Sequence, residues 1–241
     1  MTKDSPSDSD KQSGAPQTPK EVIIDHRDIA RKWKLDYSFG IKDQTNRALD
    51  GIQKLLSRLQ EPAINIPDLL LDAANVICQQ FGIKEASIGL MNPADGIYRY
   101  EIIVGMREDA EKALKRIEYT VDDFGESSVW KGTAISEYTK LFLSDDKPYA
   151  KGEEDSYSRP ALLGYIKRKS ITESLEGDYL DVLVFGKKGE IVGWLEISGT
   201  KTGELPDIPT IRWMELISKI IGTAIILQNE RSPPSGSGRP E

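Results

Sequence analysis

The chain has 241 residues, a formal net charge of -7, 38% hydrophobic residues and 29% charged residues. That length and balance suit a globular protein with a sizeable core, and the negative charge argues against general nucleic-acid binding, which needs a concentrated positive field. No stretch approaches the ~20 apolar residues of a membrane-spanning helix. With one cysteine no internal disulfide can form, so the expected setting is the cytoplasm.

Residues 1–18 are Ser, Asp, Lys, Gln and Pro without an apolar core, the composition of a disordered tail and not of a signal peptide. Residues 19–41 read as a partly helical N-terminal extension. Ala48, Ile52, Leu55, Leu56 and Leu59 then form a narrow helical seam of the kind used in bundles and coiled coils. A further helix is expected from Pro67 to Phe81 on Leu69, Leu70, Ala73, Val76 and Ile77, with Gly82 placed for a left-handed cap. Ala86–Met91 and Ile97–Val104 read as a hairpin around the turn formers Asn92, Pro93, Ala94, Asp95 and Gly96.

Residues 106–178 resist periodicity. Arg107 to Arg116 looks helical, whereas Thr120–Gly132 and Ala134–Leu143 fit strand or helix equally. The segment is rich in rings, with Phe124, Trp130, Tyr138, Phe142, Tyr149, Tyr157 and Tyr165. They suit either core packing or the wall of a pocket.

Tyr179–Phe185 and Glu190–Gly199, joined by Gly186, Lys187, Lys188 and Gly189, read as a closing antiparallel hairpin. Pairing Phe185 with Glu190 places Leu180, Val182, Val184, Ile191, Gly193, Leu195 and Ile197 on one apolar face. The opposite face then holds Asp181, Leu183, Phe185, Val192, Trp194, Glu196 and Ser198. Large apolar groups with a few polar ones are how small-molecule pockets are lined, and an ionised side chain there must be paired, hydrogen-bonded or wet. Arg159, beside Tyr157 and Pro160, is a possible partner for Asp181 or Glu196. Residues 208–229 form a terminal helix whose apolar arc, Ile211 to Leu227, is wider than a one-sided surface helix needs. Residues 230–241 resemble a disordered linker.

A long helix, a helix ending in Val76-Ile77-Cys78-Gln79-Gln80-Phe81-Gly82, a hairpin, an aromatic middle, a closing hairpin from Gly177-Asp178-Tyr179-Leu180-Asp181 through Gly193-Trp194-Leu195-Glu196-Ile197, and a terminal helix together resemble a GAF domain of the microbial or archaeal sensory type, over about residues 42–229. The resemblance implies an α+β fold: a central antiparallel β-sheet with N- and C-terminal helices packed on one face and a ligand pocket on the other.

His26 precedes the domain, so a triad would have to recruit it across the chain. Cys78, between Ile77 and Phe81, reads as a small core residue. Thiolate or imidazole metal sites lack ligands, and no phosphate-binding glycine loop follows a strand. Asp122, Asp123 and Glu126, and Glu153-Glu154-Asp155, carry donors for a hard cation but read as solvated loop charges, as does Lys167-Arg168-Lys169. Set against the family, the sequence lacks the cysteines of its sulfoxide reductases and the Asn-Lys-Phe-Asp-Glu signature of its cyclic-nucleotide modules, and no covalent bilin or haem is expected; the cofactor is unknown.

The reading is a cytoplasmic sensory or regulatory module that binds a small molecule or partner protein and signals through its terminal helices, with catalysis left open as the less favoured reading. Expected pocket residues are Phe124, Trp130, Tyr138, Tyr157, Arg159, Asp181, Leu183, Trp194, Glu196 and Ser198, with no catalytic or metal residues. A homodimer through the terminal helices is expected, with a separate signalling output protein as a further candidate partner, and neither nucleic acid nor membrane as partner. The alternatives are a dimerisation or interaction module without a ligand and, third, a small enzyme using carboxylates alone.

Overall fold

A computed structural model describes residues 26–39, 44–125, 128, 132–146, 153–162 and 165–231. The chain divides into two compact units, Met1–Ile41 and Lys42–Glu241. In the first, helix α1 (His26–Phe39) leaves Ile29, Trp33, Leu35 and Tyr37 exposed.

The second unit contains α2 (Gln44–Leu59), α3 (Ile66–Gln80), β1 (Ile83–Met91), β2 (Tyr98–Val104), α4 (Glu108–Leu114), β3 (Thr133–Ala134), β4 (Thr139–Phe142), β5 (Tyr179–Phe185), β6 (Ile191–Thr200) and α5 (Ile208–Arg231). Its strands form one antiparallel sheet in the order β2-β1-β6-β5-β4-β3. The sheet is therefore wider than the two expected hairpins by β3 and β4.

Local chemistry sets the helix limits. Asn65 caps α3 by accepting from the Asp68 backbone N–H at 3.3 Å, and Pro67 lies in the first turn, where its missing N–H costs nothing. After the helix Gly82 turns the chain at φ +68°, a left-handed conformation that favours glycine. Asp207 caps α5 in the same way, accepting from the Thr210 N–H at 2.9 Å.

Helices α3 and α5 pack on one sheet face, and α2 packs against both helices. Between them lies the main core: Leu69, Ala73 and Ile77 from α3, Met214, Ile217 and Ile221 from α5, and Ile88, Val182, Leu195 and Ile197 from the strands. Ala48, Ile52 and Leu55 of the α2 seam are buried in this same core, Leu55 completely, while Leu56 is exposed. The wide apolar arc of α5 is likewise largely spent inside the domain, because the helix meets β5 and β6 on one side and α2 and α3 on another. Gly222 allows this approach, since a Cβ there would lie 2.6 Å from the Phe185 carbonyl oxygen.

The closing hairpin has the expected faces but a different register. Val182 opposes Leu195 and Asp181 opposes Glu196, two residues from the expected pairing, and a two-residue shift leaves every side chain on its face. A bulge between Val184 and Phe185 opposes Phe185 to Ile191 instead of Glu190. The extra residue exchanges two neighbours. Ile191 joins Phe185 on the far face and Val192 packs toward the helices, the reverse of expectation.

The described residues between 106 and 178 fold as short pieces: α4, inside the helix expected from Arg107 to Arg116, a 3-10 turn at Val121–Phe124, β3, β4, and further 3-10 turns at Ser144–Asp146, Glu153–Ser156 and Pro160–Leu162. An ion pair anchors this segment. Asp178, only 2% exposed, accepts two hydrogen bonds from the Arg168 guanidinium at 2.7 Å, and also accepts the backbone N–H of Ser144 at 2.9 Å and of Leu175 at 2.7 Å. Arg168 further pairs with Asp145 at 2.7 Å, and these bonds raise its pKa above the ordinary arginine value. Arg168 is thus a half-buried structural clamp and not the solvated loop charge expected, while Lys167 and Lys169 are exposed.

Candidate functional site

The face of the sheet opposite the helices carries a second apolar cluster centred on Trp194, with Tyr98, Tyr100, Leu114, Tyr119 and Leu183. Trp194 opposes Gly89 on β1, and a Cβ at Gly89 would come within 2.0 Å of the indole. Glycine is what lets the ring lie across the neighbouring strand. Around the indole, the rings of Tyr100, Phe124 and Tyr119 stand at 4.9, 5.3 and 5.4 Å, two of them edge-on, within the range of favourable aromatic contacts.

Beside this cluster lies a partly open cavity of about 70 Å³. Period-two alternation along the strands brings Glu85, Tyr179, Asp181, Trp194, Glu196 and Ser198 to its floor, and Tyr100 joins them from β2. Phe142 of β4 stacks on Tyr179 at 4.6 Å. Tyr119, Phe124, Glu153 and Tyr157 form the wall supplied by the middle segment. Among the described residues, the lining holds no lysine, arginine or histidine.

The electrostatics follow from that lining. Asp181 and Glu196 face each other across β5 and β6. Burial, and then the charges of Glu196 and Glu153, push the Asp181 carboxyl well above the usual carboxylate range. Burial lifts Glu196 to about 7, with the neighbouring Glu153 and Glu85 adding to the rise. Tyr100 donates to Glu196 Oε2 at 2.6 Å and Tyr119 donates to Glu153 Oε1 at 2.8 Å. Asp181 Oδ1 is buried and has no hydrogen-bond partner. The same is true of the Ser87 hydroxyl, on the strand position that opposes Glu196. Lys140, opposite Asp181 on β4, directs its ammonium to the Phe124 carbonyl oxygen at 2.8 Å.

Of the expected pocket residues, Phe124, Tyr157, Asp181, Trp194, Glu196 and Ser198 line this cavity. Leu183 is buried in the apolar cluster beside Trp194 and does not reach the cavity surface. Tyr138 lies elsewhere: it packs against the helix-side core, stands 5.4 Å from the Phe185 ring and lies 4.5 Å beneath the Lys219 ammonium. Arg159 does not pair with Asp181 or Glu196. It binds Glu176 at 3.1 Å in an exposed loop. Trp130 falls outside the described residues.

Several cavity residues escaped the sequence reading. Glu85 precedes the expected strand start, Tyr100 and Tyr119 belong to segments whose faces periodicity left unassigned, and Glu153, expected as a solvated charge, is buried. Asp123 closes a capping box with Thr120, accepting its N–H at 2.7 Å and its hydroxyl at 3.0 Å. Among the described residues no cluster of three or more His, Cys, Asp or Glu is arranged to hold a metal ion. Cys78 packs against the helix-side core, and burial pushes its thiol up to about 11, so it is a poor nucleophile at neutral pH.

No family model matches the sequence, and no curated protein matches it. Solved structures do match. The phycocyanobilin-bound GAF domain of a cyanobacterial phytochrome is 12% identical at a TM-score of 0.50, covering 76% of this chain and 96% of that one. The GAF domain of a phosphoenolpyruvate-protein phosphotransferase from Coxiella burnetii is 13% identical at 0.49, over 77% of this chain and 96% of that one. The corresponding Acinetobacter domain is 12% identical at 0.48, over 78% and 97%. The chain has a GAF-like α+β fold, and at these identities the likeness is one of fold. Among the described residues no helix is long and apolar enough to cross a membrane.

Proposed function

We propose that this GAF-like domain is a sensory or regulatory module that binds a small molecule in the cavity beside Trp194 and passes the result to its terminal helices. The observation carrying this reading is the orphaned Asp181 Oδ1, a buried acceptor at a cavity walled by rings and carboxyls. A buried polar atom without a partner costs on the order of 1–3 kcal/mol, and a ligand that supplied the missing bond would recover it. Transmission has a short physical route. Asp181 and Glu196 face the cavity, their neighbours Val182 and Leu195 face the core beneath α5, and Thr139 of β4 donates to Glu215 of α5 at 2.9 Å. An inert, filled interior would instead favour a dimerisation or interaction module.

Native mass spectrometry of gently purified protein tests the reading: a stoichiometric bound metabolite lost on mild activation supports it. Bare protein from several expression hosts, with no ligand-induced rise in melting temperature across a metabolite library, overturns it.

Homodimerisation through the terminal helices belongs to the same proposal. The apolar side chains exposed on those helices for a partner copy are Leu49 and Leu56 on α2 and Ile208 and Leu216 on α5.

A further inference from the structure

The ligand class can be read from what the cavity supplies and what it lacks. Its floor presents Asp181 and Glu196 side by side, with no lysine or arginine among the described lining residues. Among the described residues, Lys140 opposes Asp181 and directs its ammonium to the Phe124 carbonyl. Asp181 Oδ1 accepts no hydrogen bond, and neither does the fully buried Ser87 oxygen on the strand opposite Glu196. Rings of Trp194, Tyr119 and Phe124 line the same cavity as Asp181. Anions are disfavoured by the carboxyls. Hard metal ions need six or more oxygens, and rings are useless to them. What carboxylates and aromatic faces both attract is an organic cation.

Building on the reading of the cavity as a ligand site, we infer that its ligand is a small protonated amine, with the ammonium donating to Asp181 and Glu196 and the carbon skeleton against Trp194. The orphaned acceptor selects among cations. A primary or secondary ammonium donates N–H bonds, whereas a quaternary ammonium offers charge alone. The cavity of about 70 Å³ exceeds several-fold the roughly 10–15 Å³ that one water requires, which suits a molecule of a few heavy atoms.

Proton release is a second signature. The groups facing the pair are Glu85 from β1, Tyr100 from β2, Lys140 from β4, Tyr179 from β5, and Tyr119 and Glu153 from the middle segment. Burial and the neighbouring carboxyls raise both Asp181 and Glu196. An arriving ammonium requires both as carboxylates, so binding expels protons near neutral pH. An alkylammonium, with a pKa near the lysine value of ~10.4, stays charged throughout. Affinity therefore rises as pH passes upward through about 7, the value of Glu196.

The test uses the full chain and isothermal titration with butylammonium and benzylammonium, against butanol, benzyl alcohol, tetramethylammonium, butyrate and calcium. The inference expects an alkylammonium to bind at least tenfold more tightly than its alcohol and than tetramethylammonium, with protons released in buffers of different ionisation enthalpy. Asp181→Asn and Glu196→Gln keep the side-chain shape; each should weaken ammonium binding about tenfold or more while a thermal melt shows a folded protein. Should one fail to fold, the other decides. Equal or tighter binding of an alcohol, butyrate or calcium, or ammonium binding untouched by the substitutions, overturns the amine and leaves a ligand site of another class. If no probe binds and native mass spectrometry shows bare protein, the cavity reading falls with it.

Discussion

Asp181 and Glu196 make the stability of this domain depend on pH in a direction opposite to that of ordinary surface carboxylates. A carboxyl whose folded pKa is raised binds its proton more tightly in the native state. Its contribution is fully present below the unfolded value, near 4.3, and is lost as pH rises through the folded value, about 7 for Glu196. Glu196→Gln removes that titration while keeping an acceptor for Tyr100. The variant should match wild type near pH 4 and exceed its stability above pH 7 by an amount on the order of 3 kcal/mol. Urea denaturation at pH 4.5, 6, 7 and 8 measures this; a constant difference across the series would mean that Glu196 is ionised throughout. These two carboxyls were legible in the sequence because period-two alternation placed them on the face of Trp194. Glu153 was not legible, because a charge in an acidic run gives no sign that a tyrosine hydroxyl and a closing wall will bury it.

At the scale of elements, α2 shows how one apolar seam fits two assemblies. Its spacing suits a second copy of the helix as well as the domain's own core, and the choice lies with α3 and α5, whose packing surfaces are far away in sequence. Leu55 is completely buried, whereas its neighbour Leu56 is 43% exposed. Leu55→Glu should therefore unfold the domain, at a cost of about 4 kcal/mol or more. Leu49→Glu with Leu56→Glu should leave the melting temperature within a few degrees and lower the dimer fraction in sedimentation velocity. Wild type that sediments as a monomer at tens of micromolar would rule out the homodimer. Strongly periodic elements such as α3, α5 and the two strands of the closing hairpin could be read directly, although the hairpin's register could not. The bulge at Val184 and Phe185 could not, since one extra residue changes no composition signal, yet it exchanged Ile191 and Val192. Between residues 106 and 178 the helix at Glu108–Leu114 was legible, but the other described residues were not, because their shape comes from side-chain anchors such as Arg168 with Asp178 and not from repeating backbone patterns.

Across the whole molecule, the sheet order leaves two very unequal borders. One is β3, only two residues long. The other is the seven-residue β2, whose further ladder partner among the described residues is a single bridge between Tyr98 and Tyr119. Past that bridge, Glu101, Ile102, Ile103 and Val104 offer a β-branched run that a strand from another chain could extend. Glu101 is exposed there, and a charge at such a border repels an incoming strand. Glu101→Val should accordingly leave the monomer's melting temperature nearly unchanged while raising light scattering during refolding from urea. Scattering equal to wild type would mean that the border is shielded by other means. Raised scattering would identify Glu101, which belongs to neither the core nor the cavity lining, as the feature that keeps this sheet from growing into its neighbours at high concentration.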